Sequence, residues 1–313
     1  MSHSQFINEQ SKGVYIIAAT PFTETGEVDW GSIDSLTDFY LEKGVTGFTI
    51  LGMMGEAHKL TEAESSAVMT RFFKRIAGRV PVVVGVSHAS NRHVERLSKD
   101  AMDQGASGVM LAPIPSLRTD EQIFSYYSSI IQTLDTKTPI CLQDFPQATS
   151  VHMSVPVINR LFDTFPQIVM LKHEDFPGMR KLTEIREKAI SDKRRRISIL
   201  VGNGGLFLPQ EMLRGADGAM TGFAYPEMLV EVVKLFESGN PEQAEDLFNV
   251  YLPLLRHEFQ YGIGLALRKE TLRRRGAIRS AYVRKPGPVL DANDQQELTR
   301  LIARLEKMLQ SKN

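Results

Sequence analysis

A single cysteine, Cys141, stands in the 313 residues, so a disulfide framework is excluded and a reducing compartment fits. It lies in the apolar run Pro139 to Leu142 and reads as a buried thiol. No apolar stretch approaches the roughly 18 residues of a membrane-spanning helix. The polar N-terminus, Met1 to Lys12, lacks the apolar core of a secretory leader, so a cytoplasmic protein with no membrane partner is expected. Net charge is missing too: 37 Lys+Arg balance 37 Asp+Glu, nothing favours nucleic acid, and a small substrate is expected. The basic runs Lys193 to Arg196 and Arg273 to Arg275 flank acidic segments and read as solvated faces. The seven histidines (His3, His58, His88, His93, His152, His173 and His257) form no HxxxH or HxH pair, so no metal site is expected. No low-complexity segment or linker marks a second domain.

What the sequence has is an alternation. Short, continuous apolar runs recur between amphipathic helical stretches, at spacings of about 25 to 35 residues. The strand candidates are Val14 to Ala19, Gly47 to Leu51, Pro81 to Val86, Gly108 to Pro113, Pro139 to Asp144, Ile168 to Lys172, Ile197 to Gly202 and Gly218 to Phe223. Runs without polar alternation suit strands buried on both faces of a parallel sheet. Helix starts are signalled by Asp29 before a run to Lys43, and by the capping boxes Thr61 with Glu64 and Thr119 with Gln122. Eight strand-then-helix units predict an α/β fold, a closed (β/α)₈ TIM barrel, over residues 1–240. Residues 241–313 are expected as an additional C-terminal helical extension packed on it, with helices over Pro241 to Gly276 and Asp291 to Leu309.

In such a barrel the functional groups sit at the C-terminal strand ends and in the loops that follow. Lys172 closes the apolar run Ile168 to Leu171 and would project into a desolvated mouth. Burial favours the neutral amine, a nucleophile for ketones, and the resulting iminium permits C–C or C–O cleavage without a metal. The alternative from position alone is a lysine reaching outward or paired with Glu174. Gly52-Met53-Met54-Gly55-Glu56 after the second strand forms a turn whose backbone N–H groups can hold a carboxylate. The thirteen methionines are mostly core filler, Met53 and Met54 excepted by their place at the mouth.

Together these residues resemble the dihydrodipicolinate synthase / N-acetylneuraminate lyase family of class I aldolases. The resemblance runs from Ala19-Thr20-Pro21-Phe22 through Gly52-x-x-Gly55-Glu56, Leu142-x-Asp144-x-Pro146 and Leu171-Lys172 to Gly218-Ala219-Met220-Thr221-Gly222. It implies Schiff-base formation on Lys172, binding of a 2-keto acid's carboxylate by Gly52 to Glu56, no cofactor beyond the lysine imine, and a homotetramer built from dimers, or a homodimer. Departures are equally specific. Met53 and Met54 stand where dihydrodipicolinate synthases carry two threonines. Gln143 replaces the strand-5 tyrosine, a second tyrosine falls near Ile114 or Pro115, and the arginine for the aldehyde substrate falls near Ala148. The branch acting on 2-keto-3-deoxy sugar acids, notably 2-keto-3-deoxyarabonate dehydratases, is more similar. It shows counterparts of Gln143-Asp144-Phe145-Pro146, Lys172-His173-Glu174, Tyr225-Pro226-Glu227 and His257-Glu258.

Gln143 donates and accepts hydrogen bonds but is no acid or base, so it is expected to orient the substrate or a water. Proton transfer then falls to Glu174, His88, His173 or Glu56. With a strand period of two, Glu174 can share the face of Lys172 while His173 points away. Asn203 after strand seven, and Met220 and Thr221 on strand eight, are expected substrate contacts. The reading is thus a lyase, aldolase or dehydratase, for a 2-keto-3-deoxy sugar acid. Its alternatives are a condensation of pyruvate with an aldehyde, a sugar-phosphate enzyme using the glycine-rich loops after strands seven and eight, and a non-catalytic keto-acid binder.

Overall fold

A computed structural model describes residues 6–311, which leaves His3 and the rest of residues 1–5 outside the described residues. Eight strands form: β1 (Gly13–Ile17), β2 (Gly47–Ile50), β3 (Val82–Gly85), β4 (Gly108–Leu111), β5 (Ile140–Asp144), β6 (Ile168–His173), β7 (Ser198–Val201) and β8 (Gly218–Thr221). Each pairs in parallel with the next, and β8 closes on β1, giving the TIM barrel the sequence predicts. Most strands are slightly shorter than the apolar runs. Residues such as Ala18, Ala19 and Gly222 leave the ladder to build loops at the mouth.

Two apolar layers follow from the strand alternation. Tyr15, Ile17, Val83, Met110, Cys141, Met170, Leu200 and Met220 fill the barrel interior. Their neighbours, among them Ile16, Val84, Leu142, Leu171 and Ile199, pack outward against the helices. Cys141 is fully buried, and burial pushes its thiol up to about 12, so it is an inert filler. Above it on the same face comes Gln143, paired in register with Lys172 on β6. The two chemically suggestive side chains therefore emerge together where the apolar plug ends.

The expected helix starts form. Asp29 accepts from Ser32 N–H at 3.1 Å, and Thr61 with Glu64 and Thr119 with Gln122 complete capping boxes. One expectation is corrected: 241–276 is not a continuous helix. It divides into Pro241–Glu258 and Gly264–Arg274. Gly262 has φ +80°, and a Cβ on Gly264 would lie 2.5 Å from the Glu258 carbonyl, so two glycines let the chain turn sharply across the barrel mouth. The helices Pro241–Glu258 and Ala292–Gln310 pack on each other, and the former on Pro226–Glu237 and Leu208–Leu213. Among the described residues no helix is long and apolar enough to cross a membrane.

The basic runs are largely neutralised internally. Arg194 pairs with Asp163 and Asp192, Arg195 with Glu9, and Arg196 with Asp217. Arg273 and Arg274 pair with Glu270, and Arg275 with Glu227.

Candidate active site

At the C-terminal end of the strands lies a cavity of about 240 Å³, small enough for a short metabolite and below the usual range of drug-sized pockets. Lys172, Glu174 and Gln143 meet on one wall. Lys172 Nζ lies 3.0 Å from Glu174 Oε2, and Gln143 Nε2 donates to the same oxygen at 2.7 Å. Asn203 Nδ2 donates to the Glu174 carbonyl at 3.1 Å, tying the β7 loop to the end of β6. Gly202 makes this possible, because a Cβ there would fall 2.2 Å from Glu174 Cγ. Both alternatives for Lys172 are thus partly realised: it pairs with Glu174, and the pair faces the cavity.

His173 faces away, as the strand period requires. Its Nε2 donates to Gly178 O at 2.9 Å, and its Nδ1 lies 3.6 Å from Asp144 Oδ2, which Lys181 Nζ approaches to 2.6 Å. Burial by itself lowers the His173 pKa, but the Asp144 carboxylate, with the Gly178 carbonyl and Glu211 adding to it, reverses this and leaves it raised. Behind it, burial pushes Glu211 up to about 7. This group braces β5 and β6 from outside the barrel. His88 is exposed, stacked on His93 with ring centroids 4.0 Å apart, and does not line the cavity.

The loop after β2 divides in two. Met53 and Met54 line the cavity; Gly52, Gly55 and Glu56 do not. Residues Met53–Gly55 form one 3₁₀ turn in which Gly55 N–H bonds Gly52 O at 3.0 Å, so Met53 and Met54 carry the turn's leading amides. Glu56 turns into the left-handed region, φ +54°, and is wholly enclosed. It accepts from Lys269 Nζ at 2.5 Å, Lys59 Nζ at 2.9 Å and Arg284 N–H at 3.0 Å. With both oxygens occupied it is a strut between the β2 loop and the C-terminal segment, so its expected place against the substrate is corrected. Met220 is fully buried in the barrel plug beneath the site, whereas Thr221, the next residue, lines the cavity.

Further lining residues come from beyond the barrel strands and carry no local sequence signal. Residues 258–262 and Arg268 come from the two helices and the turn that divides them. Arg268 Nε donates to Glu258 Oε1 at 2.5 Å, and Glu258 Oε2 accepts from Ala224 N–H at 3.3 Å. Tyr261, on the rim, has its phenol pKa raised by desolvation and then by the Glu174 carboxylate. His257-Glu258 carries part of the resemblance, but nothing local to the sequence points Glu258 or Arg268 at the mouth.

A parallel barrel with a lysine at the end of β6, beside a carboxylate and inside a small cavity, belongs to the class of barrel enzymes whose chemistry is assembled on strand ends. Residues 10–305 match the profile of the Dihydrodipicolinate synthetase family, and the chain belongs to that family, a family of lyases. The chain is similar to L-2-keto-3-deoxyarabonate dehydratase of Azospirillum brasilense, 29% identical over 306 residues, covering 95% of this chain and 96% of that protein. It is similar also to 4-hydroxy-tetrahydrodipicolinate synthase of Porphyromonas gingivalis, 29% identical over 309 residues, covering 97% and 99%. Among solved structures, dihydrodipicolinate synthase from Rhodopseudomonas palustris superposes with a TM-score of 0.93 at 47% identity, over 96% of this chain and 100% of that one.

Proposed function

We propose that this lyase forms a Schiff base between Lys172 and the keto group of a 2-keto-3-deoxy sugar acid and expels water from it, with no cofactor beyond that imine. The observation that carries this reading is the Lys172–Glu174 pair, 3.0 Å apart and open to the cavity. Glu174 takes a proton from the Lys172 ammonium, and the amine attacks C2. The keto oxygen leaves as water, with one proton from the nitrogen and one returned by Glu174, and an iminium remains. Glu174, one hydrogen bond from the imine nitrogen, stands beside C3. It removes a C3 proton, the enamine expels the C4 hydroxyl, and the same proton leaves with it as water. A further water hydrolyses the unsaturated iminium and frees Lys172. Gln143 holds Glu174 in place, and the leading amides of Met53 and Met54 receive the carboxylate.

The similarity to a 2-keto-3-deoxyarabonate dehydratase supports the substrate class. The similarity to 4-hydroxy-tetrahydrodipicolinate synthases favours a second reading, condensation of pyruvate with an aldehyde. Against it, the β5 position carries the amide of Gln143 and the β2 turn carries two thioethers, so neither supplies a hydroxyl for a proton relay. The test is borohydride reduction in the presence of pyruvate, 2-keto-3-deoxyarabonate or 2-keto-3-deoxygluconate, followed by peptide mass spectrometry and product assay. An adduct on Lys172 with dehydration of one sugar acid is expected. Absence of any adduct on Lys172 would sink the mechanism.

A further inference from the structure

The helix Gly264–Arg274 contributes a cation to the cavity, Arg268, which is 4% exposed. A guanidinium has five N–H donors, and here the protein engages one: Nε, to Glu258 Oε1. Among the described residues neither Nη group has a protein acceptor, and the side chain lines the cavity, so those donors are available to a ligand. The strand end is shaped to admit it. A Cβ on Gly222, just beyond β8, would lie 2.5 Å from Arg268 Nη1, so the glycine that closes Gly218 to Gly222 is the space the guanidinium occupies.

Charge then narrows what Arg268 meets. The cavity is lined by two cations, Lys172 and Arg268, and two carboxylates, Glu174 and Glu258. Each cation is matched by a carboxylate partner, so the wall is balanced before substrate enters. One carboxylate from a keto acid can be received at the amides of Met53 and Met54. A second, arriving at Arg268, would lie against Glu258 and leave the desolvated site with uncompensated negative charge. A neutral hydroxyl meets no such penalty: it accepts from Nη and donates to a carboxylate oxygen.

We propose that Arg268, clamped by Glu258 and seated over Gly222, is a specificity-determining residue. It reads the hydroxylated tail of a monocarboxylic keto acid and discriminates against dicarboxylic ones. This rests on the Schiff-base reading of Lys172 and extends it to the far end of the substrate.

Removing Arg268 alone strands a buried carboxylate and threatens the fold, so the informative variant is Arg268→Met with Glu258→Gln. Pyruvate, which has no tail, serves as the control for an intact site. The double variant is expected to lose about 10- to 100-fold in kcat/KM for the 2-keto-3-deoxypentonate, the worth of a hydrogen bond to a charged donor, and markedly less in pyruvate trapping on Lys172. Glu258→Gln alone, which leaves the Arg268 charge unmatched, is expected to raise trapping of 2-oxoglutarate relative to pyruvate. Equal losses for pyruvate and the sugar acid, or no gain with 2-oxoglutarate, would overturn the proposal. If the wild type itself forms no adduct, the Schiff-base reading fails instead. Calorimetric binding of the sugar acid then decides: weaker binding to the double variant supports the Arg268 role, and equal binding ends it.

Discussion

Among the described residues two lysine–glutamate pairs are buried, Lys172 with Glu174 and Lys269 with Glu56, and they are built to opposite ends. Lys269 is fully enclosed; its Nζ donates to Glu56 at 2.5 Å and to Tyr282 O at 2.9 Å, and it lies 4.5 Å from the centre of the Phe22 ring. Glu56 in turn accepts from Lys59 and from Arg284 N–H. Both Glu56 oxygens and two of the three Lys269 N–H donors are engaged within the protein, and the ammonium lies over an aromatic face. Lys172 has one carboxylate partner and faces a cavity. Burial is common to both, so burial does not distinguish them; access to the cavity and a less saturated hydrogen-bond shell do.

The comparison can be broken most sharply at Lys172. Lys172→Ala is expected to abolish adduct formation and turnover, with a stability loss under about 1.5 kcal/mol, because cavity water can solvate Glu174. A large loss of stability would make Lys172 a strut like Lys269. Glu174→Gln should next lower turnover about 10²- to 10⁴-fold, the range of a lost general acid–base, and slow imine formation. A change within twofold would remove Glu174 from the chemistry. Lys269→Met should leave pyruvate trapping at Lys172 intact in the folded protein but cost about 3–5 kcal/mol in denaturant unfolding, because Glu56 loses one of its charge partners.

A pH dependence is expected at the same lysine. Burial pushes the Lys269 pKa down to about 8 from its ordinary 10.5, with Glu56 opposing in part. Between those values the unfolded chain holds more of this proton than the folded one, so this lysine's contribution to stability grows as pH rises from 8 to 10.5 and is lost as it falls back through 8. The stability difference between wild type and Lys269→Met should therefore widen across that window. A flat difference would mean that Lys269 stays charged throughout.

The contrast also marks what is legible along the chain. Glu174 follows Lys172 by two residues, just past the end of β6, and the continued strand period puts both on one face and His173 on the other. The capping boxes at Thr61 and Thr119 are equally local, each joining residues three positions apart. Glu56 was misplaced because its partner Lys269 is 213 residues away. A Gly-x-x-Gly-Glu string does not say whether the glutamate faces the ligand or the wall behind it. Arg268 was missed although it stands only 10 residues from Glu258. Its meaning depends on the helix dividing at residues 259–263, which looked from composition like continuous helix.

The sequence by itself determined the eight strand-then-helix units, the inner and outer faces of β5 and β6, and the placing of Gln143, Lys172 and Glu174 at the mouth, because each depends on periodicities read over a few neighbours. Only the tertiary structure decided which buried lysine is open to a ligand, which glutamate is a strut, and that an arginine from beyond the barrel completes the cavity. Those depend on which segments barrel closure brings together, and so on what remains of each side chain's hydrogen-bonding capacity once its partners have arrived.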